Sequence, residues 1–393
     1  MTENGEVKTE IEPEVILGGI PGTMSVYKSF SLNNFFTLKC REQSIHLYKY
    51  YSNHTDNDGK NYSLDALADN TIYLRRAREF NDSFDCNIRF DPELVKLAFA
   101  DLFIEALGGE KDQNTLEEKC SEIFKLAEKQ TFVSVHNRIQ AYTNIKPQYI
   151  RDFMCRIMAY VFAADGRLTK KVFIKLLHLQ ISEYIDDVYP NVLKDIKMYC
   201  FSKTNSSQLM WAHYANSHKG FCIEYELPLI RDDNDFNRLK PWEQKAWVYT
   251  LPMAYLKERV DLTDQVSMLL RDIPEIEEQF PFYKFGFLAK NMEWQYEQEW
   301  RFIYPYTVRE YHPGHVLSER IVHKSDGSET NNMKYFPISA VFLGCKMEAT
   351  EQEKVINAAS KNAKMNKSKI DILQGKESKT EYKIIFDKIK TVG

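Results

Sequence analysis

The segment Trp294-Gln295-Tyr296-Glu297-Gln298-Glu299-Trp300-Arg301 sets two carboxylates and a guanidinium among aromatic side chains. As a strand it would put Glu297, Glu299 and Arg301 on one face and Trp300, Phe302 and Tyr304 on the other. As a helix it would pair Glu297 with Arg301 at i,i+4, which is an ordinary salt-bridged surface. Carboxylates beside aromatic rings also suit a site that stabilises developing positive charge. Cleavage of a glycosidic bond is such a case, because an oxocarbenium-like centre forms and a carboxylate can hold it.

A second constellation is Met210–Gly220, which holds Trp211, His213, Tyr214, His218 and Lys219 between two expected strands. His213 and His218 are five positions apart, about 140° around a helix, so they are not a same-face metal pair. A helix ending between them could bring both to one pocket; a polar loop anchored by Trp211 is the plain alternative. In Phe80-Asn81-Asp82-Ser83-Phe84-Asp85, Asp82 and Asp85 could bind a metal or hold a turn, and turn chemistry with two aromatic anchors is the expected use. Ser202-Lys203-Thr204 follows a strand and reads as a cap or turn cluster. His312 and His315 read as an exposed turn.

The elements that would carry these residues give an α+β fold: a mixed, largely antiparallel sheet core with a large helical insertion. Residues 1–44 read as a flexible tail and 45–91 as the first part of the core. Residues 92–196 read as a helical insertion or subdomain, and 197–393 as the rest of the core with a basic C-terminal segment. Strands are expected at Ile45–Tyr51, Thr71–Leu74, Lys197–Ser202, Gly220–Glu226, Val248–Leu256, Ile338–Gly344 and Thr380–Phe386. Pro92 suits a first helical turn, and Thr115–Glu118 is a capping box. Residues 230–245 read as a charged loop.

The 393-residue chain is 44% hydrophobic and 27% charged, which excludes a mainly disordered chain. No window approaches 18 uninterrupted apolar residues, so neither a transmembrane helix nor a membrane partner is expected. The start lacks the basic and apolar regions of a secretory signal. A net charge of −4 gives no overall case for nucleic acid, although Lys361–Lys390 carries nine Lys against four acids. Seven Cys without a CxxC pair point to a reducing, cytoplasmic compartment and no structural zinc. P-loop, GxGxxG, GxSxG and HExxH motifs are absent, which argues against a standard NTPase, Rossmann dehydrogenase, α/β-hydrolase or zincin.

Several segments together resemble a widespread bacterial family known as a domain of unknown function. They are Leu47-Tyr48-Lys49-Tyr50; Phe80–Asp85, with Ser83 where the family has Pro; Cys200-Phe201-Ser202; Met210–Tyr214 with His218-Lys219-Gly220; and Trp294–Arg301. A second likeness is to the ADP-ribosyltransferase fold. It rests on a basic residue on an early strand (Lys49), a Ser/Thr after a middle strand (Ser202, Thr204) and a late Glu-x-Glu (Glu297, Glu299). That likeness implies NAD as substrate and Glu299 as the group that binds the nicotinamide ribose and stabilises its oxocarbenium. Glu297 would orient or deprotonate an acceptor, Lys49 would meet the pyrophosphate, and Tyr48 or Trp211 would stack on a ring.

His213 joins Glu297 and Glu299 as a catalytic candidate. Tyr214, His218, Lys219 and Arg301 join Tyr48, Lys49, Ser202, Thr204 and Trp211 as nucleotide-binding candidates, and Asn81, Asp82 and Asp85 form a turn or site rim. The partners implied are a small nucleotide and a protein or nucleic-acid acceptor, and the family resemblance suggests phage defence or a stress response. Two alternatives stay open. One is a non-catalytic module recognising a ligand or nucleic acid. The other is a metal-dependent hydrolase or nuclease built on Asp82, Asp85, His213 and His218.

Overall fold

The computed structural model describes residues 14–17, 20–23, 44–145, 148–162, 169–188, 197–271, 284–303, 320–321 and 336–393. Glu14–Leu17 (β1) and Ile20–Thr23 (β2) form an antiparallel pair. Val15 and Leu17 are buried, so this part of the expected tail is instead a packed hairpin. Ile45–Tyr51 (β3) is the strand its alternation predicts, with Ile45 and Leu47 buried on one side. The short strands Ile72–Tyr73 (β4) and Arg75–Arg76 (β5) follow.

Lys197–Ser202 (β6) and Phe221–Leu227 (β7) appear where expected. Thr250–Pro252 (β8) and Ala254–Leu256 (β9) divide what the sequence suggested as one strand. Ala289–Asn291 (β10), Glu299–Ile303 (β11), Arg320–Ile321 (β12), Ile338–Leu343 (β13), Ile370–Glu377 (β14) and Ile384–Val392 (β15) complete the series. His312 and His315 lie outside the described residues.

The main sheet has nine strands in the order β15-β14-β13-β7-β3-β6-β11-β8, with β5 beside β6. It is largely antiparallel, with β13 and β14 parallel. β3 pairs with β7 along its whole length but meets β6 only at Tyr48↔Ser202. The sheet is therefore two halves joined at one register position. A smaller sheet, β10-β9-β1-β2, lies alongside.

Helices cover both faces. On one face, Tyr62–Asp69 (α1) packs over Leu47, Phe201, Tyr225, Trp300 and Leu343 together with a late helix, Ala349–Asn366. The two helices are tied by Asn362 Nδ2 donating to the Leu67 carbonyl at 2.7 Å. The opposite face carries the helical stretch read from the sequence: Pro92–Ala106 (α2), Leu116–Ala127 (α3), Phe132–Ala141 (α4), Gln148–Phe162 (α5) and Lys170–Glu183 (α6). Asp91 caps α2 with Pro92 in its first turn, and Thr115 and Glu118 form the capping box of α3.

Gln208–Tyr214 (α7) lies over the β3/β7/β13 half. Residues 230–245 are not a loop. Asp233–Arg238 (α8) and Pro241–Tyr249 (α9) are short helices, the first capped by the Asp232 side chain. The charge there occupies caps and exposed faces, so it did not prevent helix formation. In the basic C-terminal segment, Lys361, Lys376, Lys383 and Lys388 pair with Asp69, Asp387, Glu381 and Asp371 at the surface. Among the described residues no helix is long and apolar enough to cross a membrane.

Candidate functional site

The Trp294–Arg301 motif is neither one strand nor one helix. Met292–Glu297 is a 3-10 turn, and Gln298 reverses the chain with φ 44°. β11 then begins at Glu299. Glu299 and Arg301 thus share one face of β11, while Glu297 reaches the same place from the turn before it. Ser202 Oγ fixes that turn by donating to the Glu297 carbonyl at 2.6 Å.

Arg301 is 0% exposed. Its Nη2 donates to Asp85 Oδ2 at 2.6 Å, its Nε to Glu299 Oε1 at 2.7 Å and its Nη1 to the Phe287 carbonyl at 2.8 Å. The Phe80 ring lies beside the guanidinium, 5.1 Å from centroid to carbon. Lys290, also buried, reaches Glu297 Oε2 at 2.6 Å, Glu299 Oε2 at 3.2 Å and Asp85 Oδ2 at 3.4 Å. Tyr214 donates to Glu297 Oε1 at 2.5 Å, and the Glu299 backbone N–H donates to the Tyr255 hydroxyl at 2.7 Å.

Two cations thus face three carboxylates, and the carboxylates respond differently. Burial opposes ionisation of Glu299, but Arg301 and then Lys290 overcome it and hold the group well below the usual carboxylate range. Burial pushes Glu297 up, the charge of Glu299 pushes it further, and Lys290 offsets only part of this. Burial opposes the charge on Lys290, yet Glu299, Asp85 and Glu297 hold its pKa above the usual lysine value. Glu299 is therefore the fixed anion, and Glu297 is the member driven toward its acid form. Burial raises the thiols of Cys86 and Cys200 beside the cluster, which keeps them protonated.

Glu299 opens on a cleft of about 710 Å³ whose walls include Tyr255, Tyr296, Trp300, Met253, Met292 and Ile16. Its rim carries the exposed Glu293, Gln295 and Gln298. Ile16 comes from β1, so the N-terminal hairpin supplies part of the wall.

The candidates named from sequence divide into two groups. Asp85, Ser202, Tyr214, Glu297, Glu299 and Arg301 converge on the ion-pair cluster. His213 is exposed, with its ring 6.4 Å from that of Tyr296, so it sits at the rim. Tyr48 is in register with Ser202 on the cluster's face of the sheet and donates to Glu224 Oε1 at 3.0 Å.

The second group lies elsewhere. Strand alternation puts Lys49 on the opposite face, where it donates to the Cys200 carbonyl at 2.8 Å over the Tyr199 ring. Trp211 is 0% exposed, held by Tyr50 and Phe386, and donates Nε1–H to the Asn205 carbonyl; it is a core anchor with no face open to a ligand ring. Thr204 makes turn contacts, donating its N–H to Ser202 Oγ and accepting from the Tyr50 hydroxyl. His218 lies in the turn before β7, against Gly344 and Lys346, and Lys219 is exposed beside it.

Asn81 and Asp82 form the expected turn, with Asp82 Oδ1 accepting the Phe84 N–H at 2.9 Å. Phe84, expected as an anchor, is 63% exposed because that turn directs it outward. Asp82, Asp85, His213 and His218 do not converge, and no group of three metal-binding side chains occurs among the described residues. Lys290, Tyr255 and Tyr296 were missed. The only sequence signal for Lys290 was a lysine closing the apolar run Phe285–Ala289.

Residues 210–302 match the model of a family described as a protein of unknown function (DUF2971). The matched segment runs from α7 to β11 and carries Tyr214, Tyr255, Lys290, Glu297, Glu299 and Arg301. The resemblance to a domain-of-unknown-function family therefore holds over the part of the chain that supplies most of the cluster. No curated protein and no solved structure matches the chain.

Proposed function

We propose that the chain processes a nicotinamide dinucleotide, cleaving the bond between nicotinamide and ribose in the manner of an ADP-ribosyltransferase or NAD glycohydrolase. One observation carries this reading: adjacent carboxylates, one held ionised and one pushed toward its acid form, at a cleft walled by aromatic and thioether side chains. A pyridinium ring is cationic and flat, and such walls with a buried carboxylate favour it. As nicotinamide leaves as a neutral ring, positive charge passes to the ribose. Glu299, kept anionic by Arg301 and Lys290, stabilises that charge.

Glu297 does not line the cleft. It acts as a positioning residue: protonated, it leaves Lys290 to Glu299, and ionised, it competes for the same ammonium. The row Tyr48–Ser202–Glu299 keeps the Ser and Glu of the ADP-ribosyltransferase likeness on one face, whereas Lys49, the basic residue on which that likeness also rests, faces the other side. A role in phage defence or stress belongs to the same proposal.

The test is nicotinamide release from NAD by the purified chain, with protein and nucleic-acid acceptors supplied, beside Glu299→Gln. Release is expected to fall about 10²–10³-fold in the variant, with its circular dichroism unchanged. Release at the same rate from both proteins, or from neither, overturns the reading. A non-catalytic nucleotide-binding cleft is the second reading, favoured by the fact that both Glu299 oxygens are already taken by Arg301 and Lys290. It expects saturable NAD binding without turnover.

A further inference from the structure

A second, smaller pocket of about 210 Å³ lies on the other side of the Lys290–Glu299 pair. Arg89, Lys257 and Arg259 line it with the carboxylate of Glu258, and Asp261 is ion-paired to Arg89; Lys290 also lines it, but its charge is taken up by Glu297, Glu299 and Asp85. The Arg89 side chain is 58% exposed, and its Nε makes a loose ion pair with Asp261 at 3.9 Å. Arg259 is held at the pocket by Nη2 donating to the Asn87 carbonyl.

One wall is apolar, and Phe84 stands at the pocket with 63% of its surface in solvent. The rest of the Phe80–Asp85 motif has a structural use: Phe80 covers Arg301, Asp82 holds the turn and Asp85 pairs with Arg301. Phe84 has none. The Asp82 turn and the Asn87 Nδ2 bond to the Ser83 carbonyl hold it outward, which a core phenylalanine would not require.

We infer that this pocket is a binding site for a small phosphomonoester carrying one ring. A guanidinium fork suits a phosphate, and Arg89, Lys257 and Arg259 outnumber Glu258 and Asp261 there by one, which favours an anion. Phe84 would lie against the ring. The volume is below the roughly 300–1,000 Å³ of pockets that bury a drug-sized ligand, so a dinucleotide does not fit. This inference is independent of the cleft chemistry, and its test does not read nicotinamide release.

The experiment is calorimetric titration of the full chain with phenyl phosphate and with inorganic phosphate at low salt. Saturable one-to-one binding is expected. Phe84→Ala should weaken phenyl phosphate about tenfold and leave inorganic phosphate unchanged. The double variant Arg89→Gln, Arg259→Gln should weaken both at least tenfold, and Arg89→Gln alone serves if the double variant does not melt like the parent. Failure of both anions to saturate, or undiminished binding in the arginine variant, overturns the inference.

Discussion

Arg301 contributes more to the site than any other single residue. It is fully buried, and its guanidinium is divided between Asp85, Glu299 and the Phe287 carbonyl. Replacing it with Met leaves three buried carboxylates with Lys290 alone, which should cost about 3–5 kcal/mol. Urea unfolding measures this directly. Arg301→Lys should not rescue it, because a point charge cannot make three divergent bonds. A melt near the parent's for either variant would show that the cluster carries little of the stability.

The two glutamates should give opposite pH signatures. Glu299 titrates below its ordinary value of 4.5 in the folded chain. Its stabilisation is therefore present above that value and is lost as pH falls toward the folded pKa. The stability gap between parent and Glu299→Gln should be full at neutral pH and narrow in acid. Glu297 titrates above 4.5 when folded, so its contribution is present in acid and is lost as pH rises through the folded pKa. Glu297→Gln should therefore gain on the parent as pH rises. Unfolding free energies measured across the acid and neutral range test both slopes; equal slopes would reject the assignment. Under the proposed function, turnover should also fall as Glu297 ionises and competes for Lys290.

At the scale of elements, the His218-Lys219-Gly220 motif has a backbone explanation. Asn216, Ser217 and His218 have φ of 48°, 53° and 70°, an uncommon left-handed run. A Cβ on Gly220 would lie 2.0 Å from the Tyr51 carbonyl oxygen of β3, and one on Gly344 would lie 2.1 Å from the His218 carbonyl oxygen. The turn closes the ends of β3, β7 and β13 through close backbone contact, and His218 contributes its carbonyl, which accepts the Lys346 N–H at 3.0 Å. Gly220→Ala should destabilise the chain by an amount on the order of 3 kcal/mol. His218→Asn, which tolerates the same φ, should be nearly silent in both melting and any turnover. Loss of turnover in folded His218→Asn would instead give the imidazole a part in the site.

At the scale of the molecule, the helical stretch shares its core with the sheets. Phe99, Phe103, Ile123, Met154 and Leu177 belong to one continuous core with Val15 and Leu17 of β1, Met198 of β6, Met253 between β8 and β9, and Ile303 of β11. Excising residues 92–196 should expose that apolar face and yield insoluble protein. In the intact chain, far-ultraviolet dichroism, dominated by the helices, and tryptophan fluorescence, which includes Trp211 of α7 and Trp300 of β11, should report one coincident unfolding transition. Two separated transitions would mark the helices as a unit of their own.

Local pattern by itself determined much of this protein. β-prone and apolar runs located β3, β6, β7 and β13, and capping chemistry located the starts of α2 and α3; the Glu-x-Glu-Trp-Arg run pointed to the site but left strand and helix open. These signals lie within a few residues, where φ/ψ preference and side-chain period are decided. Tertiary structure decided the rest. Asp85 and Arg301 are 216 positions apart in the chain, yet they share a 2.6 Å bond. Lys49 and Tyr48 are adjacent, yet only Tyr48 faces the cluster. A strand's period says which residues share a face. Which face meets the site, and which distant carboxylate or ammonium arrives there, depends on register between strands remote in sequence, and no local pattern encodes that register.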